Sequence, residues 1–258
     1  MPSALSPHNP RIERVRDLRT PRGRRERGRF VFEGPTLLAE ARSSGLAIEE
    51  LYGTEHALAA HAALVAELEG AGTPVFVLPD RALARLSDVE TPPGLLAVAV
   101  TPTSDPATIL ERSGAVLLLA GIGDPGNAGT LLRSAEAFGA AGVLFGRGGV
   151  DPFAPKVVRA AMGSLFRLPV AAVDASELLE AAQAAGRPII AATLDGEPLA
   201  TAALPANAIL AVGNERHGVA GFLPRWDAAI RIEQASATES LNAAVAGSIL
   251  LYAMSLRR

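Results

Sequence analysis

The fold is decided by residues 115–133, AVLLLAGIGDPGNAGTLLR. The first six residues, Ala115 to Ala120, form a continuous apolar run, which is typical of a strand buried on both faces of a parallel sheet. The glycine-rich segment that follows predicts a tight turn, and a helix is predicted over about 128–138. Asn127 suits the N-cap of that helix. A strand that leads through a tight turn into a helix is the repeating unit of an α/β domain.

The sequence after this stretch continues the alternation of strands and helices. Such alternation predicts an α/β domain with a mostly parallel sheet covered on both faces. The last helix has a polar segment before it, in which Glu239 or Ser240 could serve as the N-cap. The predicted strands lie near 143–145, 168–170, 189–192, 209–212 and 230–232, and the predicted helices cover about 155–163, 176–186 and 240–256.

The sequence before residue 101 predicts a second, smaller α/β domain. A helical pattern over 11–19 is followed by a polar breaker, Thr20-Pro21-Arg22-Gly23, and by a short strand at 29–32. Residues 102–113 contain proline and several polar residues, which is typical of a linker. We therefore predict three parts: a domain over 1–101, a linker over 102–113 and a domain over 114–258.

Composition excludes several classes of protein. The chain has 258 residues, of which 49% are hydrophobic, so it can bury a core without cross-links. It contains no cysteine, which excludes disulfides and thiolate metal sites, and its four histidines lack metal-ligand spacing. We find neither a secretory signal nor an apolar run long enough to span a bilayer. We therefore expect a cytoplasmic protein with no metal and no membrane partner.

Positive charge is concentrated near the N-terminus, although the net charge of the chain is −3. Residues 11–29 contain nine arginines and three acidic residues. Such asymmetry predicts a basic face that neutralises phosphates of a nucleic acid, and a solvated run of charge is the alternative. The residues that we expect to bind RNA are Arg22, Arg24, Arg25, Arg27 and Arg29.

The segment Gly121-Ile-Gly123-Asp-Pro-Gly126 also matches the dinucleotide-binding pattern G-x-G-x-x-G, after a strand and before a helix. An NADP-dependent oxidoreductase is therefore an alternative, with Arg147 placed to accept a 2′-phosphate. Against it, Asp124 and Pro125 put a negative charge and a rigid ring where pyrophosphate would approach backbone N–H groups.

Three polar motifs follow one another in the second half of the chain. The first is N-x-G-x-x-x-R, from Asn127 to Arg133, and the second is G-x-E-x-x-G, from Gly213 to Gly218. The third is E-S-L-N, over residues 239–242. In this order they resemble the motifs of the SpoU (TrmH) branch of the SPOUT RNA methyltransferases. The segments 6–12 and 29–34 are similar to the L30e-like substrate-binding module that precedes many of these enzymes, and the layout resembles thiostrepton-resistance rRNA methyltransferases.

The resemblance implies a function and an architecture. It implies methylation of a ribose 2′-hydroxyl, most simply in 23S rRNA, with S-adenosylmethionine as cofactor. It also implies a trefoil knot in the C-terminal domain, and a homodimer formed through that domain.

The resemblance further implies roles for individual residues. Leu194, Gly213, Ile232 and Leu241 would bind the cofactor. Arg133 would bind the phosphate beside the target ribose, because its guanidinium stays protonated and is a poor base. Asn127 and Asn242 would orient the ribose, Ser240 would hydrogen-bond to it, and Glu215 would anchor Arg133 or a partner loop.

One departure from the family pattern supports a second alternative. The family's third motif usually opens with I-P-M-x-G, whereas this chain has Ile232-Glu233-Gln234-Ala235-Ser236. A catalytically inactive RNA-binding homologue that has lost affinity for the cofactor would also fit this sequence.

Overall fold

A computed structural model describes residues 3–6, 9–235 and 241–257 of the chain. The chain forms two compact units. The first contains the residues up to Pro102 together with Phe153–Phe166, and the second contains Thr103–Pro152 and the residues from Arg167 onward. The first unit thus includes a later segment of the chain, which the predicted boundaries assign to the domain over 114–258.

The first unit is built on a mixed five-stranded sheet in the order β1-β4-β3-β5-β2, in which β5 is antiparallel to both of its neighbours. Its strands are β1 (Ser3–Ala4), β2 (Arg29–Glu33), β3 (Ile48–Gly53), β4 (Val75–Val77) and β5 (Leu95–Val100). Its helices are α1 (Pro10–Asp17), α2 (Pro21–Arg27), α3 (Pro35–Ser43), α4 (Glu55–Ala60), α5 (Ala62–Gly70) and α6 (Asp80–Ala84), with α9 (Pro155–Ala161) and the first residues of α10 (Ser164–Arg167) from the returning segment.

The returning segment brings aromatic side chains to β2. The ring centroids of Phe30 and Phe153 lie 5.1 Å apart, and those of Phe32 and Phe166 lie 5.2 Å apart. All four side chains are buried, so this segment completes the core of the first unit.

The predicted polar breaker at residues 20–23 is wrong, because helix α2 begins there. Pro21 is the first residue of the helix, where its missing N–H costs nothing, and the Thr20 hydroxyl accepts a hydrogen bond from the Gly23 N–H at 3.0 Å. The arginines of this segment are therefore arranged on a helix.

The predicted linker also contains a helix, α7 (Pro106–Glu111). Its Ile109 and Leu110 are buried in the core of the second unit. The buried cation Arg187 holds the end of this helix by donating to four backbone carbonyls, at Leu110 (2.5 Å), Gly114 (2.7 Å), Asn207 (2.8 Å) and Arg112. Burial lowers the pKa of its guanidinium.

The second unit confirms the predicted parallel α/β fold. Every pairing in its six-stranded sheet is parallel, and the strand order is β11-β9-β10-β6-β7-β8. The strands are β6 (Val116–Ala120), β7 (Gly142–Gly146), β8 (Val170–Val173), β9 (Ile189–Pro198), β10 (Ile209–Gly213) and β11 (Ala228–Arg231). Besides α7, the helices are α8 (Pro125–Ala137), α11 (Ala175–Ala184), α12 (Ala243–Ser255) and a short 3-10 turn at Val219–Gly221. The trefoil knot stays a prediction.

Strand β6 is buried along its whole length, as its apolar run predicts. It lies between β10 and β7. The loops after β6 and β10 therefore leave the same edge of the sheet side by side, which is where open parallel sheets bind ligands.

Candidate active site

A cavity of about 670 Å³ opens in the second unit. Much of its wall is apolar and comes from β9, β10, β11 and α12, while the loop after β10 supplies polar groups. All four residues that the sequence predicted to bind the cofactor line it, and they are Leu194, Gly213, Ile232 and Leu241.

The first motif lies at the start of α8. The Asp124 carboxylate accepts a hydrogen bond from the Asn127 N–H at 2.7 Å and caps the helix. The prediction that Asn127 is the N-cap is therefore wrong, because the helix begins at Pro125 and Asn127 lies within its first turn. The Asp124 cap also occupies the helix N-terminus that a dinucleotide would need, so the oxidoreductase alternative gains no support.

The side chain of Asn127 connects the three motifs. Its Nδ2 donates a hydrogen bond to the Glu215 carboxylate, and its Oδ1 accepts one from Asn242 Nδ2 at 3.0 Å. We call these three side chains the amide relay. Because both ends of the Asn127 amide are engaged, its orientation is fixed.

Asn242 also caps helix α12. Its Oδ1 accepts hydrogen bonds from the N–H groups of Ala244 at 2.9 Å and Val245 at 3.2 Å. The expected caps, Glu239 and Ser240, lie outside the described residues. The contact of Ser240 with the ribose therefore stays a prediction. The cap leaves the Asn242 amide nitrogen free to bond Asn127.

Arg133 lies on the exposed side of α8, two turns from its start. Its guanidinium has no hydrogen bond or ion pair with any residue that the structure describes. The Glu215 carboxylate accepts a hydrogen bond from Asn127 and has no described contact with Arg133, so its other expected role, the anchoring of a partner loop, stays a prediction. Arg133 is thus a solvent-accessible cation available to an anionic ligand.

The second motif forms a closed loop after β10. An ideal Cβ on Gly213 would lie 2.0 Å from the Gly218 carbonyl carbon, so only glycine allows the loop to fold back on itself. The Asn214 Oδ1 accepts hydrogen bonds from the N–H groups of Arg216 at 3.0 Å and His217 at 2.7 Å. It is therefore the protein's own loop that excludes a side chain at position 213, and this loop shapes the cavity wall.

Strand β9 leaves its ladder beside the cavity. Ala191 pairs with Ala229, whereas Glu197 pairs with the next residue, Ile230, so residues 192–196 bulge away from β11. The bulge carries Leu194, whose side chain is 65% exposed. Thr193 and Asp195 from the bulge, Trp226, and Arg216 and His217 from the loop after β10 also line the cavity, and the sequence reasoning missed all of them.

Four of the five arginines expected to bind RNA have protein partners in the first unit. Arg22 pairs with Glu26 at 2.7 Å and Arg27 with Asp17 at 2.9 Å, both at exposed positions. Arg29 makes two bonds to Glu49, at 2.6 and 2.8 Å. The hydrogen bonds that Arg29 donates to Glu49, and then the negative charge of Glu49, raise the pKa of Arg29.

Arg24 and Arg25 are neighbours with opposite environments. Arg24 is only 5% exposed and donates to the Leu18 carbonyl at 2.9 Å. Arg25 is exposed and has no side-chain partner among the described residues. Arg24 therefore holds backbone within the first unit, and of the two residues Arg25 is the one that a phosphate can readily reach.

Within the described part of the chain, no helix is long and apolar enough to cross a membrane.

Comparison with known proteins agrees with the two-part layout. Residues 114–252 match the SpoU rRNA Methylase family, and residues 9–97 match the MRM3-like substrate binding domain. The chain is 32% identical over 250 residues to the 23S rRNA (guanosine(2553)-2′-O)-methyltransferase RlmP of Bacillus subtilis, and the match covers 96% of each chain.

Two solved structures are similar along nearly their whole length. The AdoMet-bound rRNA methyltransferase from Sinorhizobium meliloti has a TM-score of 0.86 at 27% identity, covering 99% of this chain and 98% of that one. The SpoU methyltransferase AviRb from Streptomyces viridochromogenes, in complex with AdoMet, has a TM-score of 0.85 at 28% identity, covering 97% and 98%.

Proposed function

Because the chain belongs to the SpoU rRNA methylase family, we propose that it methylates a ribose 2′-hydroxyl of ribosomal RNA, with S-adenosylmethionine as methyl donor. The substrate that its full-length similarity to RlmP favours is 23S rRNA. The observation that carries the proposal is the amide relay, which joins three separate motifs through Asn127 and reaches the cavity wall at Glu215.

The cavity suits S-adenosylmethionine in size and chemistry. Its volume of about 670 Å³ lies in the usual range for small-molecule sites. Leu194, Ile232 and Leu241 offer apolar surface for the adenosine part, and the loop closed by Gly213 supplies polar groups for the charged end. When bound, the cofactor supplies an electrophilic methyl group on a sulfonium.

The protein's own residues position the RNA and its hydroxyl. Arg133 binds the phosphate next to the target ribose, since it is an exposed cation on α8 that no described residue neutralises. Asn127 and Asn242 orient the ribose with the second N–H of each side-chain amide, which the relay does not use. Glu215 acts as a positioning residue that fixes the Asn127 amide, and Ser240 adds one hydrogen bond to the ribose. Such alignment accelerates an in-line displacement.

Exposed arginines of the first unit bind the RNA backbone. Arg25 leads this set because no described residue neutralises it, and Arg22, Arg27 and Arg29 can exchange their carboxylate partners for phosphates.

The active enzyme is a homodimer formed through α12. This helix and its C-cap residue leave four apolar side chains exposed at helical spacing, Val245, Ile249, Tyr252 and Leu256, of which Tyr252 is 51% and Leu256 68% exposed. Residues so spaced share one face, and an apolar face on a helix is normally covered. A second copy of this chain covers it.

The proposal is tested by incubating the purified protein with S-adenosylmethionine and unmodified 23S rRNA, followed by mapping of 2′-O-methyl groups. One new methylated ribose is expected, together with calorimetric binding of S-adenosylmethionine and no binding of NADPH. Binding of RNA without binding of S-adenosylmethionine would instead support the inactive RNA-binding homologue.

A further inference from the structure

Thr193 carries a polar atom that has no partner in the described part of the chain. Its Oγ1 is buried and makes no hydrogen bond with any residue that the structure describes. Buried hydroxyls are nearly always hydrogen-bonded, because losing water without gaining a partner is unfavourable. An exception in a folded protein therefore calls for an explanation.

The position of Thr193 supplies one. The residue lies on the bulge of β9, formed by residues 192–196, and its side chain lines the cavity. Gly196 lets the bulge return to the sheet, since a Cβ there would lie 2.5 Å from the Ala229 carbonyl carbon. The bulge thus holds Thr193 at the cavity wall, with its hydroxyl buried in the protein behind that wall.

We propose that Thr193 is a further cofactor-binding residue, whose hydroxyl turns into the cavity and hydrogen-bonds a polar atom of the adenosine half of S-adenosylmethionine. Rotation about χ1 by one staggered state moves Oγ1 into the position that Hβ held, and the methyl group follows into the position that Oγ1 leaves. The hydroxyl then gains a partner, and the methyl group fills the apolar position that the hydroxyl leaves. This inference rests on the proposed function.

The neighbours of Thr193 favour the adenosine half over the methionine half. Leu194, the next residue on the bulge, presents apolar surface that suits a flat base. The methionine half ends in a carboxylate and an ammonium group, and its carboxylate is better matched by the basic side chains of Arg216 and His217 on the loop after β10.

The test compares Thr193→Val, which keeps the shape and removes the hydroxyl, with Thr193→Ser, which keeps the hydroxyl. Calorimetry measures the Kd for S-adenosylmethionine and for 5′-methylthioadenosine, which lacks the amino-acid part. For Thr193→Val both Kd values are expected to rise about three- to tenfold, and for Thr193→Ser they change by less than about twofold. Without ligand, Thr193→Val is expected to melt above the wild type, because it no longer buries an unpaired hydroxyl.

Two results would overturn the inference. A wild-type Kd in Thr193→Val means that the hydroxyl does not bind the cofactor, and a loss for S-adenosylmethionine but not for 5′-methylthioadenosine places the contact on the wrong half. Failure of the wild-type protein to bind S-adenosylmethionine would instead refute the proposed function. Should Thr193→Val not fold, a crystal structure of the wild-type complex decides the matter: Oγ1 is expected within about 3.5 Å of a polar adenosine atom, and an unrotated hydroxyl refutes the inference.

Discussion

The Nδ2 of Asn242 lies 3.0 Å from the Oδ1 of Asn127, although the two residues are 115 positions apart in the chain. The amide nitrogen of Asn127 in turn donates a hydrogen bond to Glu215, so one side-chain amide connects the start of α8, the loop after β10 and the start of α12. The orientation of the Asn127 amide therefore depends on the positions of all three segments.

Replacing Asn127 by aspartate should break the amide relay. The new carboxylate cannot donate to Glu215 and repels it. We expect the single-turnover methylation rate to fall about 100-fold, as displaced reacting groups typically cause, while the Kd for S-adenosylmethionine changes little. A double variant in which Glu215→Gln restores a donor to this pair should recover part of the rate. An Asn127→Asp enzyme with wild-type turnover would show that the relay does not position the site.

Arg133→Ala should abolish most of the activity and leave the fold intact, because the side chain is exposed and supports no described contact. A loss of about 100-fold in kcat is expected for a residue that aligns the RNA, with Arg133→Lys retaining more because it keeps the charge. Arg112→Ala, another exposed arginine of the second unit, is the matched control. Equal rates for the two alanine variants would exclude Arg133 from the site.

Arg25→Ala and Arg24→Ala should affect different properties, RNA binding and stability respectively, although the residues are adjacent. Loss of the exposed Arg25 should weaken RNA binding and reduce the slope of log Kd against log salt by about 1, without changing the melting temperature. Loss of the buried Arg24 should cost about 1–3 kcal/mol of unfolding free energy, because the Leu18 carbonyl loses its donor. Titration of an rRNA fragment at several salt concentrations and urea unfolding separate the two. Two variants with the same profile would contradict this assignment.

Arg187→Met should destabilise the protein by about 3 kcal/mol or more, because it leaves four backbone carbonyls without their donor. The exposed pair of Arg147 and Asp174 offers a control, since Arg147→Ala should cost less than about 1 kcal/mol. Urea unfolding measures both. A small effect of Arg187→Met would mean that other groups or water satisfy these carbonyls.

A charge on the exposed face of α12 should convert the proposed dimer into a monomer. Tyr252→Glu places a carboxylate in the face that a second copy would bury, at a cost of several kcal/mol. Light scattering should then give a mass near 26.6 kDa instead of twice that value. Met162→Gln changes another exposed apolar side chain, in the first unit, and should leave the mass unchanged. A wild-type protein that is already monomeric would refute the proposed homodimer.

The parts of the fold that depend on local patterns were predictable from the sequence. The apolar run of β6 and the glycine-rich turn after it predicted the parallel sheet, which the structure confirms. The sequence did not predict helix α2, because proline usually indicates a break, although at the first position of a helix it is well accommodated. The helix in the predicted linker was missed because two buried residues, Ile109 and Leu110, were outnumbered by polar neighbours.

The site itself was predictable only through resemblance to a family. Asn127 and Glu215 are 88 positions apart, so no spacing rule connects them. The bulge that places Thr193 depends on the register of β9 against β11, which is set by the whole sheet. Neither feature has a local sequence signature.

The return of Phe153–Phe166 to the first unit constrains how this protein can evolve. The aromatic rings of β2 pack against two residues encoded more than 100 positions later. A recombination event that exchanged only the N-terminal part would leave those rings against a foreign segment. The two parts must therefore be inherited together, and changes at Phe30 or Phe32 should be accompanied in homologues by compensating changes at Phe153 or Phe166.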